Sequence, residues 1–306
     1  MQHLLSLADC STDEVRGLLS LAAQVKQDPQ RYRTALTGKK LAMIFMKPST
    51  RTRVSFEVGM VELGGHPVVL SSRELQLGRG ETVADMARVL ARFVDGIMAR
   101  VFAHQDLEEM TAGGIPVING LSDLLHPCQA LADMLLLIER RGTATGLELA
   151  YVGDGNNVLH SLLHVAAHVG LIVRVATPPG YEPDRGVLQR ARDLGAQVTL
   201  TNDPIEAVSG ADAVYTDVWA SMGQEDEARA RQLIFAPYQV NLDLFERAKP
   251  DALFLHCLPA HRGEEVTSEV VDHPRSVVYD QAENRLHAQK AVLLHLLGGL
   301  SVTPSL

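Results

Sequence analysis

The sequence predicts an α/β protein with two domains, each a parallel sheet flanked by helices. Short apolar runs alternate along the chain with segments that carry apolar residues at helical spacing, which is typical of parallel sheets covered by helices. The length of 306 residues is enough for about two domains. Because the stretch 141–146, rich in glycine and threonine, interrupts the alternation, we expect one domain to span residues 1–141 and the other residues 142–306.

In the first half of the chain, a helix is predicted from Ser11 to Val25, because the segment 11–14 supplies an N-cap followed by first-turn acids. Strands and helices alternate after this helix, and the polar loop 71–81 follows the second strand. The predicted strands are 41–45, 67–70, 96–100 and 115–119, and the predicted helices are 51–63, 82–93, 105–110 and 126–139.

The second half repeats the alternation and ends in a long amphipathic helix, predicted over 283–297. In doubly wound sheets, ligands bind beyond the carboxyl ends of the strands. Polar clusters follow three of the predicted strands, at 153–157, 217–223 and 256–263, and we expect them to contribute to a ligand site. The predicted strands are 148–152, 172–176, 197–201, 213–217, 253–257 and 276–279.

Composition indicates an ordinary soluble globular protein in which any anion site must be local. The net charge of −9 argues against nucleic-acid and anionic-membrane partners, since both favour a basic surface. Cys10, Cys128 and Cys257 are too few for a disulfide framework and too widely spaced for a C-x-x-C motif. No signal peptide or membrane-spanning run is recognisable. We therefore expect a cytoplasmic protein.

Ser49-Thr50-Arg51-Thr52-Arg53 joins the first predicted strand to the helix that follows it. A helix start offers free backbone N–H groups and the positive end of the helix dipole, which suit a phosphate dianion. The hydroxyl groups and guanidinium groups of this segment add directed donors, and arginine matches phosphate oxygens with two hydrogen bonds at once. The segment is therefore a candidate phosphate site.

The alternative is that Ser49 caps the helix while Arg51 and Arg53 lie on a solvated face. Two arginines beside the cap, and Pro48 fixing the backbone before it, favour the phosphate interpretation.

Gly153-Asp154-Gly155 follows a predicted strand and resembles part of a dinucleotide-binding fingerprint. The fit is poor, because Val158 occupies the position of the third glycine and no acidic residue follows the next strand at the distance needed to bind a ribose. Asn156 and Asn157 either present amide groups to a polar ligand or serve a structural turn.

Two groups of histidines raise the question of a metal. The first group, His256, Cys257 and His261, lacks a fourth ligand at a recognisable spacing. The second, the helical row His160, His164 and His168, lacks the acid of an H-E-x-x-H motif and is interpreted as a helix face. No metal is therefore expected. Cys257 is open to three interpretations, namely a reactive thiol, a small buried residue and an acyl-enzyme nucleophile. Covalent catalysis is unnecessary if the leaving group is already activated.

Taken together, these motifs resemble the aspartate and ornithine carbamoyltransferases. The family shares S-T-R-T, here 49–52, and H-P-x-Q, here 126–129. The ornithine-specific members are matched by the segment 217–223, which contains Ser221-Met222-Gly223, and by the segment 256–265. The resemblance covers nearly the whole chain, including 153–157 and 283–287.

The resemblance implies a carbamoyl phosphate domain followed by an ornithine domain, with the last helix returning to the first domain. It implies an enzyme that transfers a carbamoyl group from carbamoyl phosphate to the side-chain amine of ornithine, without a metal or an organic cofactor. It also implies a homotrimer whose active sites lie at subunit interfaces.

The resemblance also implies a role for particular residues. The residues expected to hold the phosphate are Ser49, Thr50, Arg51 and Thr52, with Gln76 supplied by the adjacent subunit. Those expected around the carbamoyl group are Arg100, His126 and Gln129, those expected to hold ornithine are Asn157, Asp217, Ser221 and Met222, and those expected to complete the site between the domains are Cys257, Leu258 and Arg285.

Within this set, Arg100, His126 and Thr52 are expected to stabilise the oxyanion on the carbonyl group. Asp217 and Cys257 are expected to orient the amine and to accept or relay its proton.

The alternatives are a carbamoyltransferase with another substrate and a non-catalytic homologue. Related enzymes carbamoylate aspartate, putrescine or an acylated ornithine. An aspartate enzyme should carry a lysine in the 71–81 loop, which has none, and the other relatives should lack Ser221-Met222-Gly223. A non-catalytic binding homologue should have lost a catalytic side chain, and every expected one is present.

Overall fold

The computed structural model describes residues 1–72, 80–220 and 228–302. Strands and helices alternate along most of the chain, as predicted. The strands are β1 Lys40–Phe45, β2 His66–Ser71, β3 Gly96–Arg100, β4 Val117–Leu121, β5 Glu148–Val152, β6 Ile172–Ala176, β7 Gln197–Thr201, β8 Ala213–Thr216 and β9 Leu253–His256. The helices are α1 Thr12–Gln27, α2 Thr50–Glu62, α3 Val83–Leu90, α4 His104–Met110, α5 Pro127–Arg141, α6 Asn157–Val169, α7 Arg185–Asp193, α8 Pro204–Val208, α9 Ala228–Phe235, α10 Leu242–Phe245, α11 Ser268–Val271 and α12 Val278–Leu296.

The chain forms two compact units. The first comprises Met1–Leu135 and Glu283–Leu306, and the second comprises Leu136–Ala282. Among the residues in the described ranges, no helix is both long enough and apolar enough to cross a membrane.

The first unit contains a parallel sheet of four strands in the order β2-β1-β3-β4. Leu41 to Phe45 are all buried, as expected for a central strand with both faces covered. The chain places β2 on one side of β1 and β3 on the other, so the direction of winding reverses between β1 and β3. Phe45 pairs with Arg100 across this junction, which brings the ends of the two strands together.

The second unit contains a parallel sheet of five strands in the order β7-β6-β5-β8-β9. Here the direction of winding reverses between β5 and β8, and Val152 pairs with Thr216 at their ends. The fold class predicted from the sequence, two parallel sheets flanked by helices, is confirmed. In such sheets the reversal point opens a crevice in which ligands bind.

From Glu283 onwards the C-terminal helix α12 belongs to the first unit, as the resemblance implied. Lys26 Nζ on α1 donates a hydrogen bond of 2.7 Å to Asn284 Oδ1, and Lys290, which is 2% exposed, pairs with Glu62 on α2. The helix begins at Val278, five residues before the predicted start.

One predicted strand is wrong. Residues 276–279 do not form a strand, since Ser276 makes a single bridge to Phe254 and α12 begins two residues later. A short apolar run cannot be told from a buried helix start by periodicity alone. The other predicted strands end within two residues of the observed bounds.

Candidate functional site

The segment between β1 and α2 forms a helix start that is suited to an anion. Ser49 is the N-cap of α2, and its side chain accepts a hydrogen bond of 3.3 Å from the backbone N–H of Thr52. The Ser49 carbonyl oxygen accepts from the N–H of Arg53 at 3.2 Å. The backbone N–H groups of Thr50 and Arg51 are in the first turn of α2. No helix carbonyl lies one turn earlier to accept from them, so they are available to a ligand. Thr50 and Arg51 are both exposed.

Thr52 is completely buried, and a hydrogen bond from α12 fixes its hydroxyl group. Arg285, itself 4% exposed, donates from Nη2 to Thr52 Oγ1 at 2.8 Å. Because the oxygen accepts this bond, the hydroxyl hydrogen of Thr52 can point to a ligand. The contact joins residues 233 positions apart, both in the first unit.

His126 lies close to two guanidinium groups, those of Arg100 at the end of β3 and Arg285 on α12. Burial lowers the pKa of His126 well below its ordinary value, and the positive charges of Arg285 and Arg100 lower it further. The imidazole is therefore neutral at pH 7 and offers one N–H donor and one acceptor. The structure thus brings together Thr52, Arg100, His126 and Arg285, four of the residues predicted to bind carbamoyl phosphate.

Gln129 lies one turn after His126 on α5 and is 1% exposed. Its Nε2 donates to Asp133 Oδ1 at 2.8 Å, which fixes the orientation of the amide group. Within the described part of the chain, Gln129 Oε1 is a buried acceptor with no hydrogen-bond donor. Since buried acceptors are normally paired, this oxygen is suited to an N–H group of a ligand. Cys128, between them, is fully buried, and its thiol donates to the Asn119 carbonyl oxygen at 3.5 Å.

Lys47 is a candidate that sequence reasoning missed. It lies in the turn between β1 and α2, is only 8% exposed, and its Nζ lies 4.3 Å from the centre of the Phe102 ring. The cation–π contact holds a positive charge in the turn that leads to α2. Its position two residues before Ser49 was the only available signal.

A second polar cluster forms in the second unit, at the ends of β5, β8 and β9. Asp217 is 5% exposed, and its two carboxylate oxygens have different partners. Asn156 Nδ2 donates to Oδ2 at 2.7 Å, and the Cys257 thiol donates to Oδ1 at 2.9 Å. The structure therefore joins two predicted residues, Asp217 and Cys257, by a direct hydrogen bond. It adds Asn156, for which the sequence left open an amide presented to a ligand and a structural turn.

Asn156 cannot turn its amide group around. Its Oδ1 accepts from the backbone N–H groups of Val158 and Leu159, at 3.0 and 3.2 Å, and from the Tyr151 hydroxyl at 3.2 Å. Asn156 is thus the N-cap of α6, and its NH₂ group is left to face Asp217. Asn157, the predicted ornithine ligand, is half-buried at the first position of the helix.

The turn before Asn156 explains the glycines of the apparent dinucleotide fingerprint. A Cβ atom at Gly155 would lie 2.4 Å from the backbone of Glu182 and Pro183, so only glycine fits this close approach. Gly153 adopts a φ of +140°, which other residues rarely adopt. Both glycines are therefore required by the backbone of this turn, without reference to a nucleotide.

Asp154 in the same turn forms an ion pair with Arg231 on α9, at 3.0 Å. Burial raises the pKa of Asp154 to about 6, although the neighbouring Arg231 opposes the shift. Arg231 also donates to the Trp219 carbonyl oxygen at 2.8 Å. Because Trp219 lies two residues after Asp217, the ion pair ties the segment that follows β8 to the turn that follows β5.

Within residues 1–72, 80–220 and 228–302, two groups of side chains place potential metal-binding atoms within 4.8 Å of one another, namely Asp217 with His256 and Cys257, and His261 with Glu264 and Glu265. In the first group both ring nitrogens of His256 already have hydrogen-bond partners, Leu258 N and Glu265 Oε1. In the second, Glu265 accepts from His261 N at 2.6 Å. These arrangements do not present a free set of three ligands.

Three predicted site residues and the histidine row remain to be placed. Gln76, Ser221 and Met222 lie outside the described residues. The row His160, His164 and His168 lies on α6 with all three residues buried, and His160 Nε2 accepts from Asp184 N at 2.9 Å. The row is therefore a buried helix face.

Alkylation should distinguish the three cysteines. Burial raises the pKa of both Cys10 and Cys128 to about 12, and these residues are 6% and 0% exposed, whereas Cys257 is half-buried. Because the thiolate is the reactive form, we expect iodoacetamide at pH 8 to modify one thiol per folded chain, at Cys257. Intact mass and peptide mapping measure this, and unfolded protein, in which all three thiols react, is the control. Modification of Cys128 ahead of Cys257 would contradict the description of this cluster.

Comparison with known proteins assigns both halves of the chain to one family. Residues 2–139 match the carbamoyl phosphate-binding domain of aspartate/ornithine carbamoyltransferase, and residues 145–296 match the Asp/Orn-binding domain. The ornithine carbamoyltransferase of Anoxybacillus flavithermus is 59% identical over 304 residues, which cover 97% of this chain and 96% of that relative.

Solved structures show the same similarity. That of ornithine carbamoyltransferase from Pyrococcus furiosus matches with a TM-score of 0.93 and 56% identity over 98% of both chains. That of ornithine transcarbamoylase from Giardia lamblia matches with a TM-score of 0.90 and 32% identity, over 98% of this chain and 99% of that one. The chain therefore belongs to the aspartate/ornithine carbamoyltransferase family.

Proposed function

We propose that this protein transfers the carbamoyl group of carbamoyl phosphate to the side-chain amine of L-ornithine, giving L-citrulline and phosphate. The amine nitrogen attacks the carbonyl carbon and loses a proton, and the bond from that carbon to the phosphate oxygen breaks. The observation that carries the proposal is the helix start at Ser49–Thr52, bonded to Arg285, in a chain whose relatives are named ornithine carbamoyltransferase.

The start of α2 supplies the phosphate site. The free N–H groups of Thr50 and Arg51 and the dipole of a helix of 13 residues favour a dianion. The Arg51 guanidinium is exposed and makes no ion pair among the described residues, so two donors can meet two phosphate oxygens. These groups also stabilise the phosphate as it departs, since charge builds up on the leaving oxygen.

Thr52, Arg100 and His126 are proposed to stabilise the oxyanion that develops on the carbonyl oxygen. Arg285 holds the Thr52 oxygen, which leaves the hydroxyl hydrogen to donate, and the neutral imidazole of His126 donates without adding another charge beside the two guanidinium groups. Gln129 Oε1 is proposed to accept from the NH₂ group of the carbamoyl moiety, which supplies the donor that this buried oxygen lacks.

The cluster at Asp217 is proposed to bind ornithine and to take part in proton transfer from its amine. The Asp217 carboxylate attracts an ammonium group, and Asn156 and Cys257 hold it in one orientation. Cys257 is proposed to orient the amine and relay its proton. Asn157, Ser221 and Met222 complete the proposed ornithine site, and Leu258 contacts carbamoyl phosphate.

Family membership supports further proposals about the protein as a whole. The regions proposed to bind carbamoyl phosphate and ornithine are residues 1–141 and 142–306. We propose a homotrimer in which Gln76 reaches the active site of a neighbouring subunit. A role in arginine biosynthesis is supported by the relative from Pyrococcus furiosus, which is named an anabolic ornithine carbamoyltransferase and is 57% identical over 306 residues. Three free cysteines fit a cytoplasmic location.

Citrulline formation by the purified protein tests the proposed reaction. The wild-type protein should carbamoylate ornithine faster than putrescine, acetylornithine and aspartate, without added metal. Arg51→Ala should lower kcat/KM by about 100-fold or more, because hydrogen bonds between charged groups at the phosphate are lost.

Arg53→Ala is the matched control: Arg53 is also exposed on α2, but it pairs with Glu57 at 3.4 Å, which leaves Arg51 as the arginine of this segment proposed to bind phosphate. It should change kcat/KM by no more than about two-fold. Faster carbamoylation of another amine would show that ornithine is not the preferred substrate. Equal effects of the two substitutions would contradict the phosphate site.

Asn156→Ser should weaken the ornithine site while it preserves α6. Serine still caps a helix, but it cannot donate to Asp217 as the amide does. We expect kcat/KM for ornithine to fall by about 10-fold or more and KM for carbamoyl phosphate to stay within about two-fold. The control is Asn241→Ser, since Asn241 caps α10 through a 2.9 Å bond from Leu244 N. An equal loss of activity in both variants would show a general effect of cap replacement.

A further inference from the structure

His256 and Glu265 form a completely buried pair beside the Cys257–Leu258 turn. Both side chains are 0% exposed, and His256 Nε2 lies 3.1 Å from Glu265 Oε1. His256 is the last residue of β9, and Glu265 lies in the loop that follows. Neither residue has a role in the reaction proposed above.

Two hydrogen bonds determine which nitrogen of His256 carries the proton. The backbone N–H of Leu258 donates to Nδ1 at 2.9 Å, so Nδ1 bears no hydrogen. The ring hydrogen is therefore on Nε2, from which it is donated to Glu265 Oε1. Because both nitrogens are engaged, the ring cannot take a proton from a substrate without breaking one of these bonds.

Leu258 has a backbone conformation that needs support. Its φ is +58°, and it is the one residue other than glycine with positive φ in the described ranges. Leucine rarely adopts this left-handed conformation, and such residues are found where the surrounding structure holds them. The bond from its N–H to His256 Nδ1 provides that support, and the same turn places the thiol of Cys257 2.9 Å from Asp217 Oδ1.

We propose that His256 and Glu265 are positioning residues for Cys257. Glu265 fixes the orientation and tautomer of the imidazole, the imidazole holds Leu258 in its left-handed conformation, and this conformation aims the thiol at Asp217. The activity readout of this inference rests on the proposed function, whereas the reactivity of the Cys257 thiol can be measured without it.

Two substitutions at His256 separate the two hydrogen bonds. Asparagine places a carbonyl oxygen close to the position of Nδ1 and keeps an acceptor for Leu258 N–H. Glutamine reaches toward Glu265, but it has no acceptor for Leu258 N–H at the position of Nδ1. We expect His256→Gln to lower kcat/KM for ornithine by about 10-fold or more and to change the rate of Cys257 alkylation. His256→Asn keeps the acceptor for Leu258 N–H but loses the bond to Glu265, so it should lie between His256→Gln and wild type in both measurements.

Leu258→Gly provides a rescue test. Glycine adopts positive φ without support, so His256→Gln combined with Leu258→Gly should be more active than His256→Gln alone, although the loss of the leucine side chain is itself unfavourable. A role confined to core packing would give the double variant the lower activity. The matched control is His273→Gln, because His273 Nδ1 accepts from Arg275 N at 3.1 Å in the same i to i+2 geometry, away from Cys257. This control should leave activity and alkylation unchanged.

Glu265 offers a second route if the His256 variants do not fold. Glu265→Gln keeps an acceptor for His256 Nε2 and for His261 N, whereas Glu265→Leu removes it. Only the leucine variant should alter the alkylation of Cys257. Equal alkylation rates in His256→Gln and His256→Asn, or in both Glu265 variants, would overturn the proposal. A wild-type protein that makes no citrulline would refute the proposed function, and the alkylation rates would still decide this inference.

Discussion

The hydrogen bond from Arg285 to Thr52 is the contact on which the proposed carbamoyl phosphate site depends. It ties the start of α2 to the C-terminal helix, and both side chains are buried. Without it, Thr52 would keep its cap contact to Ser49, but its hydroxyl group would have no fixed direction. The Arg285 charge also helps to keep His126 neutral, so one guanidinium group orients Thr52 and lowers the pKa of His126, two of the groups proposed to act on the carbonyl oxygen.

Both candidate clusters lie where the winding of a parallel sheet reverses. In the first unit, the reversal between β1 and β3 brings the Ser49 turn near Arg100, and in the second, the reversal between β5 and β8 brings Asn156 to Asp217. The adjacent loops leave such a point in opposite directions, so polar side chains at the strand ends face a crevice. Each cluster also contains the N-cap residue of a helix. Ser49 accepts from the N–H of Thr52, and Asn156 directs its NH₂ group to Asp217.

The sequence was sufficient for features that are local, and insufficient for contacts that depend on distant residues. The cap at Ser49 and the strand that precedes it could be predicted, because both follow from residue order over a few positions. The contacts of Asn156 with Asp217 and of His256 with Glu265 could not, because no local pattern links a buried amide or imidazole to a partner from another loop. The strand predicted at 276–279 was wrong because its apolar residues begin α12. Arg285 entered the predicted site through family resemblance, and its bond to Thr52 required the fold.

The proposed phosphate site can be tested by a crystal structure with a bisubstrate analogue, in which a phosphonate is linked to ornithine. We expect phosphonate oxygens about 2.7–3.2 Å from the backbone nitrogens of Thr50 and Arg51 and from the Arg51 guanidinium, with Arg285 still bonded to Thr52. A phosphonate bound away from the start of α2, with Arg51 left in solvent, would contradict the proposed site.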